Sequence, residues 1–291
     1  MSAHRPRRSC LYIPGVNAKA LEKAKGLPAD VLLLDLEDSV APEAKEEGRI
    51  QLASAILAGG YAPKEVIARV NALSTPWGLD DLRAICPAKP DGVLVPKIET
   101  AEDVVNVDDA CTEAGLAEDA ALWVMIETPK AIFNLAEIAA AAKATRLAGF
   151  VMGLNDLAKD TRAKLTGDRA PFWTAMSLGV LAARSAGLSI FDGVYNDIPN
   201  LEGFEAECRQ GLAFGFDGKT LIHPSQIEIC NNVFAPTEAE VAHARDVIAA
   251  FADPENAGKG VIKVNGKMTE LLHLVEAKRI VGMAEAIAVL S

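Results

Sequence analysis

What most limits the folds open to this sequence is a repeating alternation. Short apolar runs recur at residues 9–15, 30–38, 65–71, 91–99, 121–128, 147–153, 188–195 and 216–222. Helix-like stretches separate them, for example at 42–57, 101–114, 130–143 and 201–213. Runs such as Leu122-Trp123-Val124-Met125-Ile126 are apolar at every position. That is the pattern of strands covered on both faces in a parallel sheet, not of a half-exposed antiparallel one. Eight such strands with helices between them predict a (β/α)8 barrel, an α/β fold. The rival is an open doubly wound sheet, which normally carries a glycine-rich turn after its first strand. Here that turn holds only Gly15.

A length of 291 residues, 50% of them hydrophobic, suits one such barrel. The chain runs on after the last strand, further than one closing helix requires. Residues 236–253 read as a helix, 253–261 as a turn-rich linker and 267–290 as a final amphipathic helix. The expected organisation is therefore a barrel over 1–235 and a helical lid over 236–291.

A formal net charge of −11 argues against nucleic acid as the main partner. No apolar run approaches a membrane span, and residues 1–15 lack the long apolar core of a signal peptide, so a cytoplasmic setting is expected. Cys10, Cys86, Cys111, Cys208 and Cys230 are scattered without a CxxC pair, and they read as buried thiols in a reducing compartment.

Barrel chemistry sits at the C-terminal ends of the strands, and the charged residues gather there. In chain order they are Asp35, Glu37 and Asp38; Arg69 with the polar Asn71; Lys97 and Glu99; Glu127; Asp156 beside the polar Asn155; and Asp192 and Asp197, while the eighth strand begins near Asp217 and Lys219. Singly, most have an ordinary explanation as a helix cap, a loop carboxylate or an ion pair such as Lys97 with Glu99. Gathered at one mouth, so many ionisable groups are costly unless they bind something. Acidic oxygens without histidine or cysteine suit a hard cation, and magnesium usually takes one or two carboxylates plus substrate oxygens and water. Glu127 and Asp156, on adjacent strands, are the natural pair. Arg69 and Lys97 would then face anionic substrate oxygens, in a site suited to an enolate or carboxylate. His223 precedes a proline and reads as structural, and Ser9 and Ser39 lack the partners of a nucleophilic serine.

In this order, the segments RSCLYIPG, LLLDLEDSVAPEAK, ARVN, VLVPKIE, MIETPKA, GLNDLAKD, FDGVYND, GFDGKTLIHPSQ and GKGVIKVNGKMTELLHLVEAKRI resemble the citrate lyase β-subunit-like family, which includes malyl-CoA, citramalyl-CoA and citryl lyases. The resemblance implies a TIM barrel with a C-terminal helical lid, exchanged between the subunits of a trimer or hexamer. It implies a Mg2+-dependent carbon–carbon lyase acting on a 3-hydroxyacyl-CoA, with Mn2+ able to substitute and CoA as part of the substrate. By position, Glu127 and Asp156 match the metal ligands, and Arg69 matches the arginine that binds the substrate oxygen and steadies the enolate. Asp35 and Asp38 match acids that hold metal-bound waters. Lys19, Lys23 and Lys25 fall where the family places contacts to the CoA phosphates, and Gly153, Val194 and Asp197 where it lines the acid pocket.

One position departs from the pattern. Lyases of this family commonly carry a lid aspartate in a stretch like GKMVDMP, whereas this chain reads GKMTELLHL and places Glu270 there. A carboxylate one methylene longer changes the reach of a base, and about an ångström of misplacement can cost roughly a hundredfold in rate. Three readings follow: a lyase adapted to the longer base, a relative that hydrolyses malyl-CoA, or a paralogue with another hydroxyacyl substrate. Lyase stands first by family frequency. A role of a different kind is the β-type subunit of a citrate lyase assembly acting on an acyl carrier protein.

Overall fold

The computed structural model describes residues 5–290. Residues 1–4 of the amino-terminal stretch, and Ser291, lie outside them. Eight strands pair in sequence order, each parallel to its neighbours, and close into a barrel. They are β1 (Ser9–Pro14), β2 (Val31–Asp35), β3 (Glu65–Arg69), β4 (Gly92–Val95), β5 (Ala121–Ile126), β6 (Leu147–Met152), β7 (Ser189–Asp192) and β8 (Gly218–Leu221). The helix α1 (Ala18–Ala24) follows β1, α2 (Lys45–Ala58) follows β2, α3 (Gly78–Ile85) follows β3 and α4 (Ala101–Glu113) follows β4. Two short helices, α5 (Pro129–Phe133) and α6 (Leu135–Ala140), succeed β5. Next come α7 (Leu154–Thr161) and α8 (Trp173–Ser185) after β6, α9 (Leu201–Phe214) after β7 and α10 (Ile227–Phe234) after β8. The fold is the (β/α)8 barrel that the alternation predicts.

The barrel interior is packed with side chains, as a barrel of this size requires. Val31, Leu33, Ile67, Leu94, Trp123, Val151 and Phe191 are all essentially buried within it. Trp123 stacks on Phe191 with ring centroids 4.4 Å apart. Its neighbour across the ladder is Gly149, where a Cβ would press on the indole at 3.3 Å. The glycine on β6 leaves room for the large side chain on β5.

Each strand is shorter at its C-terminal end than the apolar runs predict, because polar side chains there turn the chain. The run at 30–38 stops being a strand at Asp35, whose carboxylate accepts from the N–H groups of Glu37 (2.9 Å) and Ser39 (3.1 Å). After β5, Thr128 caps α5 by accepting from the Ala131 N–H at 3.1 Å, and Pro129 takes the first helical position.

Residues 7–233 form one compact unit, and 234–290 with residues 5 and 6 form another. The second contains α11 (Glu238–Ala252), a hairpin of β9 (Val261–Val264) and β10 (Lys267–Glu270), and α12 (Leu271–Leu290). Ala244, Val247, Ile262, Val264 and Ala277 make its core. The hairpin corrects the expectation of a linker running straight into a helix from 267. Asn265 and Gly266 both adopt positive φ (48° and 82°), the turn that joins two antiparallel strands tightly. The Asn-Gly pair was the available signal. The final helix also differs from an amphipathic one: Leu271, Leu272, Val275 and Val289 are more than half exposed. No helix among the described residues is long and apolar enough to cross a membrane. All five cysteines are buried free thiols.

Candidate active site

Parallel register brings the ends of β2 and β3 level, with Asp35 opposite Arg69. Arg69 donates from Nε to one oxygen of Asp35 at 2.6 Å and from Nη2 to the other at 2.8 Å. Such a two-pronged pair fixes the guanidinium plane as well as its charge. Tyr12 lies under that plane, 4.6 Å from ring centroid to guanidinium carbon, and Met125 Sδ is 3.8 Å from Nη1. Nη1 also reaches Asp38 at 3.2 Å and lies 2.7 Å from Glu37 Oε2, an ion pair without hydrogen-bond alignment.

The carboxylates here do not share one environment. Burial opposes the charge on Asp35, but Arg69 and the backbone N–H groups of the turn together hold its pKa below the usual range. Glu37 is largely shielded from solvent with less compensation, and desolvation pushes it up to about 8 despite Arg69. The loop carrying both is held from below by Lys45, whose ammonium donates to the Leu36 and Glu37 carbonyls at 2.7 Å each and to Asn71 Oδ1 at 2.8 Å. Lys45 and Asn71 went unassigned in the sequence, although both stand inside the segments LLLDLEDSVAPEAK and ARVN.

Across the mouth, Glu127 follows β5 and Asp156 sits in the first turn of α7. Gly153, between β6 and α7, makes their approach possible. A Cβ at that position would come within 2.4 Å of Glu127 Cβ and 2.7 Å of its Oε2. Burial raises the pKa of Glu127, and Lys97 is the main opposing influence. Lys97 donates its N–H to Glu127 Oε1 at 2.8 Å, while its ammonium lies 3.4 Å from that oxygen and 2.5 Å from Asp156 Oδ1. The predicted Lys97–Glu99 pair does not form: Glu99 faces Lys130 at 3.1 Å.

Two carboxylates, one at the end of β5 and one in the first turn of α7, already face one cation and fit a divalent ion. Among the described residues no group of three or more His, Cys, Asp or Glu side chains is arranged around a common metal position. A hard cation held here would complete its shell with substrate oxygens and water, the usual arrangement for magnesium.

Asp156 and Arg69 border a cavity of about 370 Å³ at the C-terminal end of the strands. Tyr12, Asp35, Asp38, Arg69, Gly153, Asp156 and Val194 line it. Its apolar side is Met125, Val151 and Met152. At the rim Asn155 and Asn196 exchange reciprocal amide hydrogen bonds of 3.2 and 2.9 Å, linking the loops after β6 and β7. From the loop after β7, Val194 and Asn196 face the cavity and Asp197 does not.

Other anticipated residues fall elsewhere. Lys19 and Lys23 are exposed on α1. Lys25, at the C-terminus of that helix, pairs with Glu22 at 2.6 Å and lies over Tyr61. Because α1 runs back down the barrel, Lys25 is at the end opposite the cavity. Glu270 belongs to the second unit, exposed at the end of β10, where its N–H donates to His273 Nδ1 at 2.9 Å. Asp192 faces away from the cavity, into a buried cluster with Arg169 (2.7 Å) and Lys219 (3.0 Å), and Lys219 also reaches Glu207 at 2.6 Å. His223 caps the short turn after β8 through Ser225.

Residues 8–224 match the description HpcH/HpaI aldolase/citrate lyase, a stretch that covers all eight strands and every cavity residue named above. The chain belongs to that family of enzymes. Within the HpcH/HpaI group it is 47% identical to a (3S)-malyl-CoA thioesterase of Cereibacter sphaeroides, over 97% of this chain and 96% of that protein. It is 38% identical to the citrate lyase subunit beta of Escherichia coli, over 97% of this chain and 94% of that one. Among solved structures, the CitE protein of Mycobacterium tuberculosis in complex with magnesium, acetoacetate and coenzyme A superposes with a TM-score of 0.76. It is 28% identical, and the match covers 98% of this chain and all of that one.

Proposed function

We propose that this protein is a divalent-cation-dependent thioesterase that hydrolyses a short hydroxy-dicarboxylyl-CoA of the malyl-CoA type. The observation that carries the reading is the near full-length 47% identity to a (3S)-malyl-CoA thioesterase. It moves the preference from carbon–carbon cleavage, favoured by the motifs alone, to hydrolysis. The M. tuberculosis relative bound to magnesium and coenzyme A supports the cofactor and the CoA moiety.

Glu127 and Asp156 would hold Mg2+, or Mn2+ in its place. The bound cation supplies Lewis-acid polarisation of substrate oxygens and a fixed template for them. Arg69, locked by Asp35 and backed by Tyr12, binds an anionic oxygen of the acyl group in one orientation. Met125, Val151 and Met152 offer only apolar contacts, so the cavity takes a compact acyl group and leaves the CoA portion outside. Asp38, 72% exposed at its side chain, and Asp35 would order water near the cation.

For hydrolysis, water adds to the thioester carbon, the C–S bond breaks, and the products are the free hydroxy acid and the CoA thiol. We assign the base to Glu270 of a neighbouring copy. It stands exposed beside Met268, Leu271 and Leu272, an apolar surface suited to packing against another subunit of a trimer or hexamer. On this reading the lid is residues 236–291, and Lys19 and Lys23 are the candidates for the CoA phosphates.

The test is an assay of purified protein with Mg2+ and malyl-CoA that follows free thiol and 2-oxo acid separately. Thiol and malate without glyoxylate are expected. Stoichiometric glyoxylate and acetyl-CoA would establish the lyase, the second reading, which the 38% identity to a citrate lyase β subunit favours. Neither product, with citramalyl-CoA also inert, would overturn both.

A further inference from the structure

Lys97 is built unlike an ordinary surface lysine. It has φ of 58°, the left-handed region that lysine seldom adopts, in the turn immediately after β4. Non-glycine residues persist there only where their surroundings hold them, and such places cluster at functional sites. The turn has a visible consequence. The backbone N–H and the side-chain ammonium of one residue reach the same carboxylate, Glu127 Oε1, at 2.8 and 3.4 Å. The ammonium then bridges to Asp156 Oδ1 at 2.5 Å. It thus stands between the two carboxylates proposed as metal ligands.

We infer that Lys97 is an exchangeable counter-cation, whose ammonium occupies the seat between Glu127 and Asp156 until a divalent ion enters and then withdraws from it. The inference rests on the divalent-cation reading above. Its physical reason is that Glu127 is buried and cannot share a site with a second carboxylate, unaccompanied, without a large penalty. A cation must be present in either state. Lys97 provides it from within the chain, so the site keeps its shape before loading. The backbone N–H bond to Glu127 is independent of the ammonium and can persist when the side chain leaves. That side chain is 38% exposed, so the route out is open to water.

Exchange makes a claim that a plain structural ion pair does not. Lys97 should stabilise the metal-free protein only, because in the loaded protein its ammonium no longer touches the carboxylates. The experiment compares wild type with Lys97→Met and Lys97→Asn, the latter chosen because asparagine tolerates the left-handed region. Thermal midpoints are measured in chelator and across an Mg2+ titration, with Mg2+ affinity read by calorimetry. In chelator both variants should melt below wild type, and the deficit should close at saturating Mg2+. Mg2+ should bind the variants about fivefold more tightly or better, since no ion pair has to break. With Asp156→Asn in the background, Lys97→Met should lower the chelator midpoint by less than it does alone, the remaining deficit coming from the Glu127 contact. Selective acylation of the Lys97 amine, followed by mass spectrometry, should increase when Mg2+ is added to wild type.

A deficit that persists at saturating Mg2+, or unchanged Mg2+ affinity in variants that fold, would overturn the exchange and leave the metal reading intact. Failure of wild type to bind Mg2+ at all would overturn the metal reading, and the exchange with it.

Discussion

Asp35 and Arg69 meet at the level ends of adjacent strands through two parallel charge-assisted hydrogen bonds of 2.6 and 2.8 Å. The same carboxylate also closes the turn after β2. One side chain therefore shapes the loop and aims the cation that faces the cavity.

Asp35→Asn should uncouple these roles. The amide keeps one acceptor for the turn, but Arg69 loses its matched partner while remaining buried. Breaking a buried pair in this way costs about 3–5 kcal/mol. The urea unfolding midpoint should fall accordingly, and kcat/KM should drop roughly a hundredfold as the guanidinium loses its fixed plane. Arg69→Lys should lose similar activity with less loss of stability, because an ammonium cannot reproduce the two-pronged contact.

Gly153→Ala should weaken cation binding through its contact with Glu127 and not through its own backbone conformation, since φ at Gly153 is −98° and suits any residue. The added methyl group meets Glu127 at 2.4 Å and must displace it. Mg2+ should raise the thermal midpoint of the variant far less than that of wild type, with an apparent affinity at least about tenfold weaker.

The cluster of Asp192, Arg169, Lys219 and Glu207 gives a pH prediction away from the proposed metal site. Burial alone would raise the pKa of Asp192, but Lys219 and Arg169 hold it below the usual carboxylate value. The folded-state pKa lies under the unfolded one, about 3.9. The stabilisation is therefore complete above that pH and is lost as pH falls through the folded value. Burial would lower Lys219, yet Asp192 and Glu207 raise it. Its contribution is complete below about pH 10 and is lost only as pH climbs through the raised folded value. Thermal midpoints should show no slope from Asp192 and Lys219 between about pH 5 and 9. Asp192→Asn should be less stable by about 3–5 kcal/mol at neutral pH and should lose part of the acid slope.

The exposed apolar residues of α12 give a prediction about assembly. Leu272→Glu combined with Val275→Glu places charges at positions 62% and 70% exposed in the single chain. The folded unit should tolerate them. If the lid packs against another copy, light scattering after size exclusion should show a smaller species than wild type, with the proposed thioester hydrolysis lost because the proposed base, Glu270, is no longer supplied.

What the sequence determined alone was the architecture and the rim on which the strand-end charges gather. Apolar runs fully covered on both faces require a parallel sheet with helices outside, and eight of them close it. Polar residues that end those runs then collect on one rim, because all strands point the same way. This is why Asp35, Arg69, Glu127 and Asp156 could be placed on one rim from the sequence, and why the matched segments fall on the strand ends. The tertiary structure decided which of the gathered charges meet. Asp192 looked equivalent to Asp35 in the sequence, yet its side chain points into the buried cluster with Lys219 rather than into the cavity. Lys97 lies two residues from Glu99 but turns away from it, since a left-handed backbone conformation carries its ammonium across to Glu127 and Asp156. Residue order fixes the end of a strand at which a charge appears; the backbone turn and the packing around it fix its partner.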